Sequence, residues 1–185
     1  NILQHAAIHK QVPGLFFSLE MSREQVAMRA IAAEARIDSA KIRTGFLNPA
    51  DLGKISHACG ILEDAPIFVD DTGGNNVLSI CSTAKRMKRE HNIGIVAIDY
   101  IQLVKSAGTE RQDNRAQELS VISKRLKALA KELNVPVIIL SQLNRQVEAR
   151  TDKRPQISDV KESGAIEEDS DVVLLLYRDD FYNAD

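Results

Sequence analysis

Three polar residues stand directly behind apolar runs, where buried strands would deliver them to one edge of a sheet. Leu15–Leu19 leads into Glu20, Ile95-Val96-Ala97-Ile98 leads into Asp99, and Val135–Leu140 leads through Ser141 into Gln142. A carboxylate that closes a buried apolar strand is costly unless it is ionised toward solvent, a metal or a hydrogen-bond donor. Asp99 can hold Mg²⁺, usually through the ion's water shell, because Mg²⁺ keeps several waters and needs few carboxylates besides phosphate oxygens. Its plainer reading, a common one, is an aspartate capping a turn or helix after a strand. Glu20 can act as a general base on a water aimed at a γ-phosphate. Its other reading is a charge that favours the N-terminus of a helix beginning near Ser22. Gln142 carries an uncharged amide able to touch a terminal phosphate and register its loss, or is an ordinary polar loop residue. Singly, both readings stay open at each position. Together, a carboxylate, a metal-type aspartate and an amide at one sheet edge make up much of a nucleotide-hydrolysis site.

The phosphate cradle is a separate matter. No G-x-x-x-x-G-K-S/T occurs in the 185 residues, so this stretch holds no loop of backbone N–H groups around the phosphates. Asn1–Gln11 reads as the latter part of a helix with no start signal. The expectation is a P-loop just upstream of it.

The elements that must position these residues emerge from the apolar pattern. Leu15–Leu19, Ile67–Val69, Ile93–Ile98, Val135–Leu140 and Val172–Tyr177 are short runs without polar alternation, as expected of strands buried on both faces of a parallel sheet. The segments between them read as helices. Ser22 with Gln25 is a capping-box pair, and Val26, Ala30, Ala33 and Ile37 continue as one apolar stripe. Asn48-Pro49 is a cap followed by a proline suited to the first helical position, and Leu52, Ile55, Cys59 and Leu62 continue at three-four spacing. Val77, Ile80, Ala84 and Met87 form a third stripe. Leu119, Ile122, Leu126, Leu129 and Leu133 form the longest. Strand and helix in alternation predict an α/β domain with a mostly parallel sheet flanked by helices. Lys105–Arg115 and Arg145–Asp159 lack periodicity and come after predicted strands, which is where open α/β sheets bind ligands.

Composition narrows the class. Hydrophobic residues make up 44% and charged residues 27%, the balance of a soluble globular domain. The net charge of −2 means that nucleic-acid binding would need a local basic surface. Cys59 and Cys81 have no metal or redox spacing, which favours a reducing compartment. No apolar run approaches the roughly 20 residues that span a bilayer, and no signal peptide is read at the start. The expected location is the cytoplasm, with no membrane partner.

Four segments in order resemble the motor domain of DnaB-type bacterial replicative DNA helicases. Phe17-Ser18-Leu19-Glu20-Met21-Ser22 resembles the segment with that family's catalytic glutamate. Ile98-Asp99-Tyr100-Ile101-Gln102-Leu103 resembles its Walker B strand end, and Leu140-Ser141-Gln142-Leu143-Asn144-Arg145 its phosphate-sensing segment. The stretch from Arg154 to Glu167 resembles its fourth helicase motif, whose loop touches single-stranded DNA. The likeness runs from Asn1 to about Tyr182, and four ordered motifs are far more specific than any one of them.

The resemblance implies a RecA-like P-loop NTPase core, with residues 1–185 forming a single, partial RecA-like ATPase domain. It also implies a homohexamer, ATP and Mg²⁺ as nucleotide and metal, 5′-to-3′ movement on single-stranded DNA, and primase and a helicase loader as partners. By position, Glu20 would be the catalytic base, Asp99 the Mg²⁺ and nucleotide residue, and Gln142 the γ-phosphate sensor. Lys161, Glu162 and Gly164 would fall in the DNA-tracking loop. Two departures stand out. The family more often has arginine at the position of Lys161, and lysine keeps the charge but loses the planar fork. Gly73 stands where the family usually has proline. The resemblance places the P-loop upstream of this stretch and the arginine finger downstream.

Other features have plainer readings. His5 and His9 have the i, i+4 spacing of a helical metal pair but no nearby third ligand. Lys85-Arg86-Lys88-Arg89 and the basic residues Lys124, Arg125, Lys127 and Lys131 read as solvated helix faces. The acidic run Glu167-Glu168-Asp169 with Asp171 caps a short helix or faces water. Two other functions fit the same residues: a RecA-like recombinase-type ATPase, or a P-loop-less interaction domain without enzymatic activity. The Arg154–Glu167 stretch separates the helicase from the recombinase.

Overall fold

In the computed structural model, which describes residues 1–73, 76–106, 115–160 and 164–182, four of the apolar runs become strands. They are β1 (Gly14–Ser18), β2 (Ile67–Asp70), β3 (Ile95–Asp99) and β4 (Val137–Ile139). All pair in parallel, in the order β2-β1-β3-β4. The helices between them are α1 (Ile2–Lys10), α2 (Arg23–Ala35), α3 (Ser39–Thr44), α4 (Pro49–Glu63), α5 (Val77–His91) and α6 (Arg115–Leu133). Two short helices come last, α7 (Gly164–Asp169) and α8 (Asp179–Tyr182).

The sheet has helices on both faces, and side-chain alternation explains which. Leu15 and Phe17 of β1 and Val96 and Ile98 of β3 join one buried cluster with Val77, Ile80 and Ala84 of α5 and Leu119, Ile122, Leu126 and Leu129 of α6. The other face carries α1, which lies against Gly14. A Cβ on Gly14 would meet the Leu3 side chain of α1 at 2.8 Å, so glycine is what lets that helix lie close to the strand. Burial of each large aliphatic side chain in this cluster stabilises by roughly 1.5–3 kcal/mol, before the entropy of ordering it.

The helix starts agree with the sequence. Ser22 accepts from the Gln25 N–H and Gln25 reaches back to the Ser22 N–H, and Asn48 and Asp51 make the same reciprocal pair. The stripes of α5 and α6 are buried as expected, save that Leu133 at the end of α6 is half-buried. Those of α2 and α4 are buried only in part: Ile37 is buried, and Val26, Ala30, Ile55 and Leu62 are half-buried. Ala33, Leu52 and Cys59 are exposed, while the buried positions are Ala32 and Ala35 of α2 and Asp51 and Ala58 of α4; Ala35 and Ala58 pack with Ile37 in a second, smaller cluster. α2 is alanine-rich and α4 scatters Ala50, Gly53, Ala58 and Gly60 among its larger side chains, so both are weakly amphipathic and the face turned inward is set by how the two helices meet.

The fifth run corrects an expectation. Val172–Tyr177 forms no strand, and Val172, Leu174 and Leu176 are exposed. A ladder needs a neighbouring strand to receive its N–H and C=O groups, and among the described residues none lies beside this run. Its last residue, Tyr177, stacks on Tyr182 at 5.4 Å and carries the Arg154 guanidinium 5.0 Å over its ring. Among the described residues no helix is long and apolar enough to cross a membrane.

Candidate active site

β1 and β3 run side by side with Ser18 opposite Asp99, so the two strands end level at their carboxyl edge. The pairing continues one residue further, where the Leu19 N–H donates to the Asp99 carbonyl at 3.0 Å. The chain then turns: the buried Ser18 hydroxyl donates to the Met21 carbonyl at 2.6 Å. This turn sets Glu20 beyond the strand end, exposed beside Asp99. On the other side of β3, Ile98 pairs with Ile139 and the Leu140 N–H donates to the Ile98 carbonyl at 3.0 Å. That register carries Gln142 to the same edge, also exposed. Glu20, Asp99 and Gln142 therefore stand at the ends of three adjacent parallel strands, at the edge where open α/β sheets place their ligands.

The alternative role for Glu20 is filled by other groups. Ser22 and Gln25 satisfy the first turn of α2, and the Arg23 N–H donates to Asp71 Oδ2 at 2.8 Å. Asp71, just past β2, is a capping residue that the sequence pattern did not single out. Among the described residues no hydrogen bond or ion pair holds the Glu20 carboxylate. It is free to meet a water.

Asp99 sits in a different environment. It is half-buried, and burial pushes its carboxyl above the usual carboxylate range. The charge of Glu20 pushes the same way, and the positive field of Arg29, on α2, opposes both. Two carboxylates at one strand edge, one of them partly desolvated, suit a cation nearby, because the cation removes both penalties. The donor set fits Mg²⁺, which takes one or two carboxylates.

Gln102, inside a 3₁₀ turn over Ile101–Leu103, also went unassigned from sequence. Its side chain bonds Ser141 Oγ at 2.8 Å and accepts the Gln142 N–H at 3.3 Å. The only sequence signal was its place within the Ile98–Leu103 segment.

Of the residues expected at DNA, Lys161 and Glu162 lie outside the described residues, as do positions 107–114 of the Lys105–Arg115 stretch. Gly164 is the exposed first residue of α7. The Arg145–Asp159 stretch is more ordered than its lack of periodicity suggested. It holds 3₁₀ turns over Arg145–Ala149 and Ile157–Asp159, and Leu143 bridges to Val160. Irregular sequence here means short turns stapled by side chains.

The plainer readings fit the geometry. Lys85 pairs with Glu132 and Arg86 with Glu90, while Lys88 donates to the Ile93 carbonyl. The His5 and His9 rings lie in contact at 4.5 Å. Both cysteines are free.

Comparison with known proteins agrees with this architecture. The family model described as DnaB-like helicase C terminal domain matches residues 1–185. The chain is 50% identical over 185 residues to the replicative DNA helicase DnaB of Geobacillus stearothermophilus, covering all of this chain and 40% of that protein. It is 48% identical over 183 residues to the replicative DNA helicase DnaC of Bacillus subtilis, covering 99% of this chain and 40% of that one. The chain thus spans about 40% of the length of these curated relatives. Among solved structures, one described as a DnaB-like replicative helicase and its interactions with primase superposes with a TM-score of 0.90 at 38% identity. That match covers the whole chain and 45% of its counterpart. The parallel sheet with flanking helices is therefore the RecA-like fold of these ATPase domains, and the chain belongs to the DnaB-like helicase C-terminal domain family.

Proposed function

We propose that this chain supplies the water-activating and phosphate-sensing side of an ATP-hydrolysis site in a replicative DNA helicase. The observation that carries the reading is the shared edge: Glu20, Asp99 and Gln142 each stand at the end of one of three adjacent parallel strands. In this reading Glu20, exposed and unpaired, accepts a proton from the water that attacks the γ-phosphate. Asp99 would hold Mg²⁺, which when bound neutralises charge on the β- and γ-phosphate oxygens. Gln142 donates its side-chain amide to a terminal phosphate oxygen and loses that partner once the phosphate leaves.

The same reading extends to the whole protein. Hydrolysis drives 5′-to-3′ translocation of a homohexamer on single-stranded DNA, with Lys161, Glu162 and Gly164 at the strand. Primase and a helicase loader are its partners, in the cytoplasm. Support comes from family membership and from the chemistry of the edge residues.

The test is a pair of substitutions in the full-length protein. Glu20→Gln keeps size and polarity but cannot take a proton, and should cut ATP turnover by about 10²-fold or more with nucleotide affinity nearly unchanged. Asp99→Asn should weaken Mg²⁺-dependent binding as well as rate. Wild-type turnover by the Glu20→Gln protein would remove Glu20 from the chemistry.

A further inference from the structure

The β3–β4 ladder ends just short of the residue that matters most on its side. Past the Ile98–Ile139 pair, the Leu140 N–H reaches Ile98 and the Ile101 N–H reaches the Leu140 carbonyl at 3.0 Å. Beyond Leu140 no backbone bond ties the Ser141–Gln142 segment to β3 among the described residues. One side chain takes over. Gln102 sends Nε2 to Ser141 Oγ at 2.8 Å and presents Oε1 to the Gln142 N–H at 3.3 Å. A carboxamide has one donor end and one acceptor end, and here each meets the complementary group of consecutive residues.

Gln102 is itself held from behind. Its carbonyl accepts from Arg115 Nη2 at 2.9 Å, and the same nitrogen reaches the Val104 carbonyl at 3.0 Å. Arg115 opens α6 and pairs with Glu118, whose Oε1 accepts the Ser106 N–H at 2.8 Å. The 3₁₀ turn after Asp99 is thus clasped by α6 on one side and reaches across to Gln142 on the other.

We infer that Gln102 is a positioning residue that ties the Gln142 backbone to the turn after Asp99, so that the two phosphate-facing groups keep one geometry. The inference rests on the reading of Gln142 as the group that meets the terminal phosphate. Leucine at position 102 keeps the volume and removes both hydrogen bonds. Glutamate keeps the acceptor for Gln142, and the rotatable Ser141 hydroxyl can donate to it in turn. Gln102 lies at the rim of the fold, outside its buried clusters, so these changes leave the core intact.

The experiment uses the full-length protein as wild type, Gln102→Leu, Gln102→Glu, Gln142→Ala and the double variant Gln102→Leu/Gln142→Ala. Two readouts are taken: kcat and KM for ATP with oligo-dT present, and amide hydrogen exchange over Ser141–Leu143. Gln102→Leu should lower kcat by roughly tenfold with KM changed less than about threefold. Exchange at the Gln142 amide should quicken. The double variant should lose little beyond Gln142→Ala alone, because the two residues act through one contact, and Gln102→Glu should recover most of the rate. Unaltered exchange at Gln142 in Gln102→Leu overturns the inference whatever the rates are, as does a loss that adds fully to that of Gln142→Ala. Wild-type hydrolysis by Gln142→Ala instead overturns the sensing role of Gln142 and leaves exchange to decide whether Gln102 holds its backbone.

Discussion

Arg150 grips Asp159 through two parallel hydrogen bonds, Nη1 to Oδ1 at 2.9 Å and Nη2 to Oδ2 at 2.7 Å. Asp159 is buried, and it also accepts the Gln156 N–H at 2.7 Å and, through its carbonyl, the Asn144 N–H at 2.6 Å. Arg150 reaches the Arg154 carbonyl as well, at 2.9 Å. One ion pair therefore closes the segment between the Gln142 strand end and the residues just before Lys161. The Gln156 N–H and then the Arg150 guanidinium hold the Asp159 carboxyl below the usual carboxylate range. A depressed native pKa means the contribution is whole above the ordinary carboxylate value and is lost as pH falls through the native one.

Removing one partner of that pair should open the segment locally. Trypsin cuts after arginine and lysine unless proline follows, and Arg150 and Lys153 both lie inside the closed stretch. Asp159→Asn should speed native-state cleavage there by roughly tenfold, since cleavage tracks the population of the opened form. Cleavage within α6 should keep its wild-type rate. Equal cleavage of the closed stretch in both proteins would show that the ion pair is dispensable.

Asp99 titrates with the opposite sign. Burial, and then the charge of Glu20, raise its native pKa, so the folded chain holds this proton where the unfolded chain has released it. Stability contributed at this position falls as pH rises from about 3.9, the ordinary value, through the raised native value, and the full penalty is present above it. Asp99→Asn should therefore raise the midpoint of thermal unfolding at neutral pH without nucleotide. The gain should close as pH drops below the ordinary carboxylate value. A thermal scan against pH on both proteins checks this, and a variant less stable at neutral pH would reverse the sign.

Lys161 is expected to touch the backbone of single-stranded DNA in a sequence-tolerant way. The stretch from Arg154 to Glu167 has no aromatic residue for base stacking, so charge must supply the affinity. In the full-length protein, Lys161→Ala should weaken binding to oligo-dT and oligo-dA by a similar factor. It should also flatten the dependence of log K on log salt by roughly 0.7 for one lost contact. An unchanged slope would move the DNA path elsewhere, with Lys105–Arg115 the next candidate.

The 185 residues contain no G-x-x-x-x-G-K-S/T, and the phosphates of bound ATP depend on such a loop. Residues 1–185 expressed alone should hydrolyse ATP at least about 10²-fold more slowly than the full-length protein. A colorimetric phosphate-release assay on both decides it. Turnover by the 185 residues at the full-length rate would mean that another part of this stretch binds the phosphates.

Much of the fold was legible where large side chains recur at one spacing. Val77, Ile80, Ala84 and Met87, and likewise Leu119, Ile122, Leu126 and Leu129, have only one apolar face to bury, and that face is buried. The caps at Ser22 and Asn48 were equally legible, because capping is a contact between residues three apart. The stripes of α2 and α4 were not. With small residues on several faces, alanine in α2 and alanine and glycine in α4, local pattern leaves the choice open, and contact around Ile37 and Ala58 makes it.

For the site, residue type and position after an apolar run were enough to propose Glu20, Asp99 and Gln142, since a strand carries its trailing residues to its own carboxyl end. Whether those ends coincide is a matter of strand order and register. The pattern of strand and helix does not contain the order β2-β1-β3-β4, which brings Ser18 level with Asp99 and Ile98 level with Ile139. Gln102 and the Arg150–Asp159 pair belong to the same category. Their partners lie 39 and 40 residues away for Gln102 and nine for Arg150, distances at which no local period operates. Local chemistry names the groups, because it depends on side-chain type and nearest neighbours. Only the packed chain brings them together, because hydrogen bonds across strands require that those strands first be adjacent.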